Sequence, residues 1–528
     1  MISKDQHFSK RPLLQWTIVL GIVCLIYGIN LFFPRYLWVQ DEARYGEVVR
    51  EMVRNGNYLV PMLDGEFYPD KPPLYFWLLV GQSRLTGMNA FSFRLVTFFP
   101  MLALGAAFFV FCKRLIGASR AIWAELILMT TMLFIVGGNI IRMDMLMALF
   151  VILSLYFFLR AVDEGKPSKS LWGHVFAILA MGVKGPLGIA FPLLGAIAYA
   201  LARDKWQGLK RLKILQGLSM ALVVVCAWAG YLYFFGHRAY LEDVFLRQLL
   251  GRSVKSWSHA EPFYFYALVM LPLLMPWLPF LYKGFKGASK EVKTIALCWF
   301  LPGFLLISII SGKLFIYLIP IFPAAALLIA SGVPAPWEKD RGASCKREGI
   351  ISGIFSIIFG LAAYYALFSR LPQERLHLAV VPFIPLLIGV GMIFLAFRGS
   401  AKTMGWWSLL GGCLISVICM GWGASQLNDY LSTRKLALAM VEANKSGYSP
   451  VAVDTARGTI SFYANMIIRN VSHHQLSKVL DEPALVAVAV RNKRLHRIRK
   501  VDLERLELKE QFPKIQFTGY SLYLEKRQ

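Results

Sequence analysis

The sequence predicts a polytopic α-helical membrane protein with about thirteen transmembrane helices and a small C-terminal α/β domain. Three observations predict it. The 528 residues are 57% hydrophobic and 17% charged, against roughly 25% charged in soluble proteins. Apolar runs of about twenty residues recur along the chain, each long enough to cross a bilayer. From about Gln426 those runs stop, and short β-rich stretches alternate with polar helical ones.

The first run, 13–34, follows Lys4, Lys10 and Arg11. It is too long for the core of a cleavable signal, and no small-residue cleavage pattern follows it. Its N-terminus is expected in the cytoplasm. Further spans are expected near 93–112, 119–139, 145–162, 171–184, 186–203, 213–236, 263–282, 291–311, 314–333, 350–369, 376–397 and 404–424. Alternate loops then read CKRLIGASR, RAVDEGKPSKS, ARDKWQGLKRLK, YKGFKGASKEVK, EKDRGASCKREG and FRGSAK, and every one is basic. The positive-inside rule places them in the cytoplasm. The pattern holds only if PPLYFWLLVGQSRLTG, 72–87, does not cross. That segment is short, proline-led and interrupted by Arg84, as an interfacial or re-entrant helix would be.

The net charge of +26 is therefore loop charge. No basic patch with interleaved aromatics stands outside the loops, so nucleic acid is not an expected partner. The seven cysteines form no CxxC pair and no His/Cys cluster, and no zinc site is predicted. The expected domains are a transmembrane domain over 1–425, whose first extracytoplasmic loop is 35–92, and a soluble extracytoplasmic α/β domain over 426–528. Within the latter, ALVAVAV reads as a strand buried on both faces. The C-terminal domain lacks a Gly-rich phosphate loop, and a supporting or acceptor-docking role is expected for it.

The exterior loops carry charge at five places on one membrane face: 39–78, Arg142 with Asp144, Lys184, the loop 237–262, and 311–313. A polar cavity opening to that face would need such residues. In EARYGEVVREMVR, 42–54, Tyr45, Val48, Val49 and Met52 take one helical face and Glu47, Arg50, Glu51 and Arg54 the other. This predicts an amphipathic helix on the membrane surface. Asp41 precedes it, as an N-cap or as a carboxylate placed to act as a base. Lys71 is stiffened by Pro72 and Pro73, and either snorkels to headgroups or meets a lipid phosphate. Asp144 is either an interface partner of Arg142 or a site carboxylate. Arg247, Arg252 and His259 share one exterior loop, either solvated or binding lipid phosphates. Glu125 lies inside an expected span, where pairing with Arg120 is the simple expectation.

In order, DEARYGEVVREM, PDKPPLYFW, the RMD of 142–144, the VKG of 183–185 and SGKLFIYLIP from Ser311 resemble the bacterial aminoarabinose transferases of lipid A. SHAEPFYFY from Ser258 is similar to that family's loop before a later span. These enzymes belong to the same broad superfamily as protein O-mannosyltransferases. The resemblance covers roughly 35–325, and the C-terminal domain shares only placement and general character.

The resemblance implies an integral-membrane glycosyltransferase of the GT-C fold in the bacterial inner membrane, with site and C-terminal domain on the periplasmic side. Its donor would be a polyprenyl-phosphate sugar, undecaprenyl in bacteria, transferred with inversion and without a nucleotide sugar. The acceptor would be lipid A, lipopolysaccharide or another envelope glycolipid, with a protein acceptor as the alternative. Asp41 and Asp144 match the family's acidic residues at the transfer centre. Lys71 matches the lysine at the donor phosphate; Lys184 and Lys313 match motif lysines, and Arg44 joins them as a donor-phosphate cation. Glu42, Tyr75, Arg142, Arg247, Arg252, His259 and Tyr317 are candidate lipid or acceptor contacts. Neither cofactor nor metal ligand set is legible. One departure is Asp70-Lys71-Pro72, where the family has Glu-Lys-Pro.

The chemistry is coherent without the family. Displacing a lipid phosphate from an anomeric carbon builds negative charge that fixed cations stabilise. A hydroxyl acceptor needs a base, whereas a phosphate acceptor is already ionised. A transporter is the competing class, but no internal repeat is visible and the charges gather at one face instead of mid-bilayer.

Overall fold

Long apolar helices dominate the chain because lipid offers no partner for a free backbone N–H or C=O. The computed structural model describes residues 11–38, 41–244, 261–338, 345–370, 378–398 and 401–526. The chain divides into two compact units. One comprises Met1–Phe32, Asp70–Tyr75 and Thr97–Gly423; the other comprises Phe33–Pro69, Phe76–Val96 and Ala424–Gln528.

Among the described residues, ten helices are long and apolar enough to cross a membrane. The pair Phe265–Leu273 and Leu278–Gly287, bent by 104°, makes eleven if it counts as one span. The difference from about thirteen has local causes. The expected spans 93–112 and 119–139 meet at Gly117 (φ 79°, ψ 166°), a non-helical break that divides the continuous run Ala90–Met129 in two, and the run counts once among the ten. The expected span 171–184 is the 17-residue helix Ser168–Lys184, at the low end of the crossing range. Segment 72–87 forms the helix Leu74–Thr86. Its 13 residues rise only about 20 Å, short of a hydrocarbon core of about 30 Å.

The first unit places its polar residues at helix ends. Helix Ser168–Lys184 stops because Gly185 adopts φ 73°, a conformation glycine reaches without steric cost, and Pro186 follows. The turn leads into the helix Leu187–Arg211. An added Cβ at Gly188 would lie 2.2 Å from the Ala180 carbonyl carbon, so these two helices approach backbone to backbone. Lys184 is thereby fixed at the corner.

A buried polar network ties the first span, Pro12–Phe32, to distant segments. Asn30 Nδ2 donates to Asn139 Oδ1 (2.7 Å) and Ser416 Oγ (3.0 Å). Ser416 Oγ donates to the Ile26 carbonyl (2.7 Å). Both Ile26 and Ser416 lie in π-helical stretches, Cys24–Gly28 and Ile415–Gly423.

Glu125 departs from expectation. Arg120 Nε bonds Glu338 Oε1 (3.0 Å) and its Nη1 donates to the Ser331 carbonyl (2.8 Å). Residues five apart on a helix point away from each other, whereas neighbours are three or four apart. The Glu125 carboxyl is fully buried, and neither oxygen has a hydrogen-bond partner among the described residues. A buried unsatisfied polar group costs about 1–3 kcal/mol.

In the second unit, protein covers much of the polar face of helix Asp41–Asn55. Its apolar face is buried as expected, but Glu47 and Glu51 are 0% exposed and Arg50 only 7%. The cover is the hairpin β1 (Met62–Leu63) and β2 (Glu66–Phe67) together with residues 457–461. Asp64 and Gly65 form the hairpin turn at φ 55° and 77°, as a two-residue turn with both central φ positive requires. Asp64 then accepts from Gly458 N (2.7 Å) and Ser461 Oγ (2.5 Å).

The C-terminal residues form a five-stranded sheet ordered β4-β3-β5-β7-β6. The strands are β3 (Ser449–Val453), β4 (Arg469–Val471), β5 (Val486–Arg491), β6 (Leu506–Phe512) and β7 (Tyr520–Glu525). β3 is parallel to both its neighbours, while β7 runs antiparallel to β5 and β6. β5 is buried on both faces as expected. Ala487 and Ala489 pack with Leu436 and Met440, and Val486, Val488 and Val490 pack with Leu476 and Val479.

Candidate active site

Asp144 opens the helix Asp144–Asp163 and is fully buried. A buried carboxylate needs paired charge, and two cations supply it. Arg142 Nε lies 3.2 Å from Asp144 Oδ2, and Lys184 Nζ pairs with Asp144 Oδ1. Lys184 Nζ also sits 3.9 Å from the ring centroid of Tyr317, a cation–π contact. Lys71, half-buried before helix Leu74–Thr86, is within electrostatic reach of Lys184. The group of Arg142, Asp144 and Lys184 carries a net formal charge of +1, with Asp144 buried and Arg142 partly exposed.

Lys313 is 3% exposed. Its Nζ donates to the Glu261 carbonyl (3.0 Å) and the Ile310 carbonyl (2.5 Å), leaving one of its three donors outside those bonds. Tyr75 is fully buried. The reading from sequence missed Tyr266. It is fully buried, its hydroxyl donates to the Leu314 carbonyl (3.3 Å), and Tyr317 and Asp144 lie within its electrostatic reach. Its signal was the aromatic run FYFY at 263–266.

Asp41, Glu42 and Arg44 belong to the second unit. Asp41 begins its helix half-exposed, with Arg44 Nη1 3.3 Å from Oδ1. Glu42 is held internally: it pairs with Arg35, and its Oε2 accepts from Trp38 N (2.8 Å). Arg35 in turn stacks 3.7 Å from the Trp38 ring centroid. Glu42 is thus a brace for the helix start. Arg35, the other missed residue, carried no motif signal. Arg247, Arg252 and His259 lie outside the described residues.

The carboxylate oxygens of Glu47, Glu51 and Asp64 lie within 4.8 Å of one another, a spacing that suits a hard cation. Each already accepts hydrogen bonds from the protein. Arg50 forks onto Glu47 (2.6 and 2.8 Å), Gly65 N donates to Glu51, and Asp64 is held as described. Burial pushes the Glu47 carboxyl up to about 8, against the pull of Arg50. Burial raises Asp64 as well. The sign follows: between the ordinary 4.5 and about 8 the folded state keeps a proton that the unfolded chain releases, so stability falls as pH rises through that window. Thermal unfolding between pH 5 and 8 is expected to show this slope, flattened in Glu47→Gln. An unchanged slope in that variant would remove Glu47 as its source.

Known proteins supply the context for this geometry. Residues 70–231 match the family described as dolichyl-phosphate-mannose-protein mannosyltransferase. A protein of Aquifex aeolicus is 27% identical over 320 residues, which cover 60% of this chain and 63% of that one; just under two thirds of that relative is therefore matched. The undecaprenyl phosphate-alpha-4-amino-4-deoxy-L-arabinose arabinosyl transferase of Pectobacterium carotovorum is 27% identical over 419 residues, covering 76% of this chain and 74% of the relative. The crystal structure of ArnT from Cupriavidus metallidurans superposes with a TM-score of 0.75 at 17% identity, covering 98% of this chain and 100% of that one. The chain has the GT-C fold of the aminoarabinose transferases. It is an integral membrane protein, and its resemblance to these transferases extends beyond 35–325 into the C-terminal residues, where the fold is shared. That ArnT has also been solved bound to undecaprenyl phosphate, and this second structure matches with a TM-score of 0.73 at 18% identity.

Proposed function

We propose that this protein is a glycosyltransferase that moves an aminoarabinose-type sugar from undecaprenyl phosphate to lipid A or a closely related envelope glycolipid. The observation that carries this reading is the similarity over three quarters of the chain to transferases named for that donor. In the reaction the bond from the anomeric carbon to the lipid-phosphate oxygen breaks and a bond to an acceptor oxygen forms. The departing undecaprenyl phosphate gains the negative charge.

Lys71, Arg142 and Lys184 suit the stabilisation of that charge, because fixed cations cost no reorganisation when the bond breaks. Asp144 acts as the anchor that holds Arg142 and Lys184, and Tyr317 flanks Lys184. Lys313, bound to two carbonyls, orders the loop before helix Phe322–Gly332. Asp41, with Arg44 beside it, takes the role of base or acceptor-orienting carboxylate. The reaction belongs to the periplasmic face of the inner membrane, opposite the basic loops.

The test is direct. Purified protein given undecaprenyl-phosphate aminoarabinose and lipid A is expected to yield lipid A heavier by one aminopentose residue in mass spectrometry. Unmodified lipid A, under conditions where the Pectobacterium relative is active, would overturn the reading.

A further inference from the structure

The C-terminal sheet carries a second cluster of basic groups, away from any residue assigned above. His473, His474, Arg497 and Arg499 line an open cleft of about 490 Å³, within the size range of small-ligand sites. Its place in the topology is informative. Asp454 follows the carboxyl end of β3, His473 and His474 follow β4, and the turn Asn492–Arg497 follows β5. The chain visits β3, then β4 on one side of it, then β5 on the other. Such a reversal is a topological switch point, and open α/β sheets bind ligands beside it, at the carboxyl ends of the strands.

The side chains there are held by acidic and backbone partners. His473 Nδ1 bonds Asp454 Oδ2 (2.8 Å), which fixes the ring and leaves Nε2 as its other polar atom. Arg494 Nη1 donates to the Asp454 carbonyl (2.5 Å). Arg499 is forked onto Asp502 (3.0 and 3.1 Å), and Asp502 is 1% exposed. The His473 and His474 rings lie 3.9 Å apart. Arg497 and His474 have no carboxylate partner among the described residues and are exposed. Two guanidinium groups in the lining oppose a metal cation. They suit a tetrahedral oxyanion, which planar guanidinium groups grip with paired N–H donors.

We propose that this cleft is a binding site for a phosphomonoester, carried on a glycolipid headgroup or free in solution. The proposal does not rest on the transfer reaction, whose assay is scored separately. The experiment uses the full chain in phosphatidylcholine nanodiscs. One arm measures radiolabelled orthophosphate by equilibrium dialysis. The other measures exchange of diphosphoryl lipid A from phosphatidylcholine vesicles, against the same lipid after dephosphorylation.

Saturable binding in at least one arm is expected, weakened about tenfold or more by Arg497→Gln with His474→Gln, as loss of charge-assisted bonds predicts. Lys509→Gln, which removes an exposed charge on β6, is expected to leave binding unchanged. Binding of orthophosphate assigns a free phosphate; binding of the phosphorylated lipid alone assigns a headgroup. No saturable binding in either arm overturns the site, as does equal weakening by Lys509→Gln or none by the double variant. Both altered residues are exposed, so the melting temperature should hold; were it to fall, each single substitution repeats the measurement.

Discussion

Asp144→Ala is expected to abolish sugar transfer and to lower the melting temperature sharply. Its carboxylate is buried between Arg142 and Lys184, and removing it leaves two cations without their anion. Breaking a buried pair from one side costs about 3–5 kcal/mol. The companion variant separates stability from chemistry. Asp144→Ala with Lys184→Met removes the stranded lysine charge along with its partner, so it should recover part of the lost melting temperature. It should recover no activity, because the cation that would meet the leaving phosphate is gone. Equal melting temperatures for the single and double variants would refute the pairing as the source of the effect. Activity in the double variant would remove Lys184 from the reaction.

The second large effect is expected at Asp41. Asp41→Asn should lower turnover about 10²–10⁴-fold, the contribution typical of a positioned base. The substitution preserves size and leaves Arg44 a hydrogen-bond acceptor, so the melting temperature should stay near wild type. Single-turnover measurement with saturating donor isolates the transfer step. A loss below about tenfold would show that the attacking oxygen arrives already ionised, as a phosphate oxygen does, and that Asp41 orients instead of deprotonates.

Much of this was legible in the residues because membrane sequences advertise their exceptions. A charge at the end of an apolar run is conspicuous, and Arg142, Asp144, Lys184 and Lys313 stood out for that reason. The structure brings the first three together and sets Tyr317 beside Lys184. Their partners were harder to read. Helix Asp41–Asn55 has an amphipathic pattern, yet part of what covers its polar face is remote in sequence: the hairpin that packs on it is held through Asp64 by Ser461, 397 residues further on. Periodicity reports which face is polar but not whether water or protein meets it. Glu42 looked like a ligand because it stood beside Asp41, and its true partner, Arg35, sat outside every motif. The break between two of the expected spans was legible as well, since Gly117 lies within the basic loop CKRLIGASR and leaves the helical region there at φ 79°.

The network of Asn30, Asn139 and Ser416 gives the chain a timetable. The first span enters the bilayer as soon as it is made, with the Asn30 amide inside it. Asn139 is translated 109 residues later, and Ser416 only after 386. At about 5–20 residues per second, the latter wait is roughly 20–80 s. Through that interval the earliest helix holds a polar side chain in hydrocarbon and cannot complete its bonds. The newborn N-terminal span therefore has reason to linger beside the insertion machinery, and the last membrane helix to be synthesised releases it.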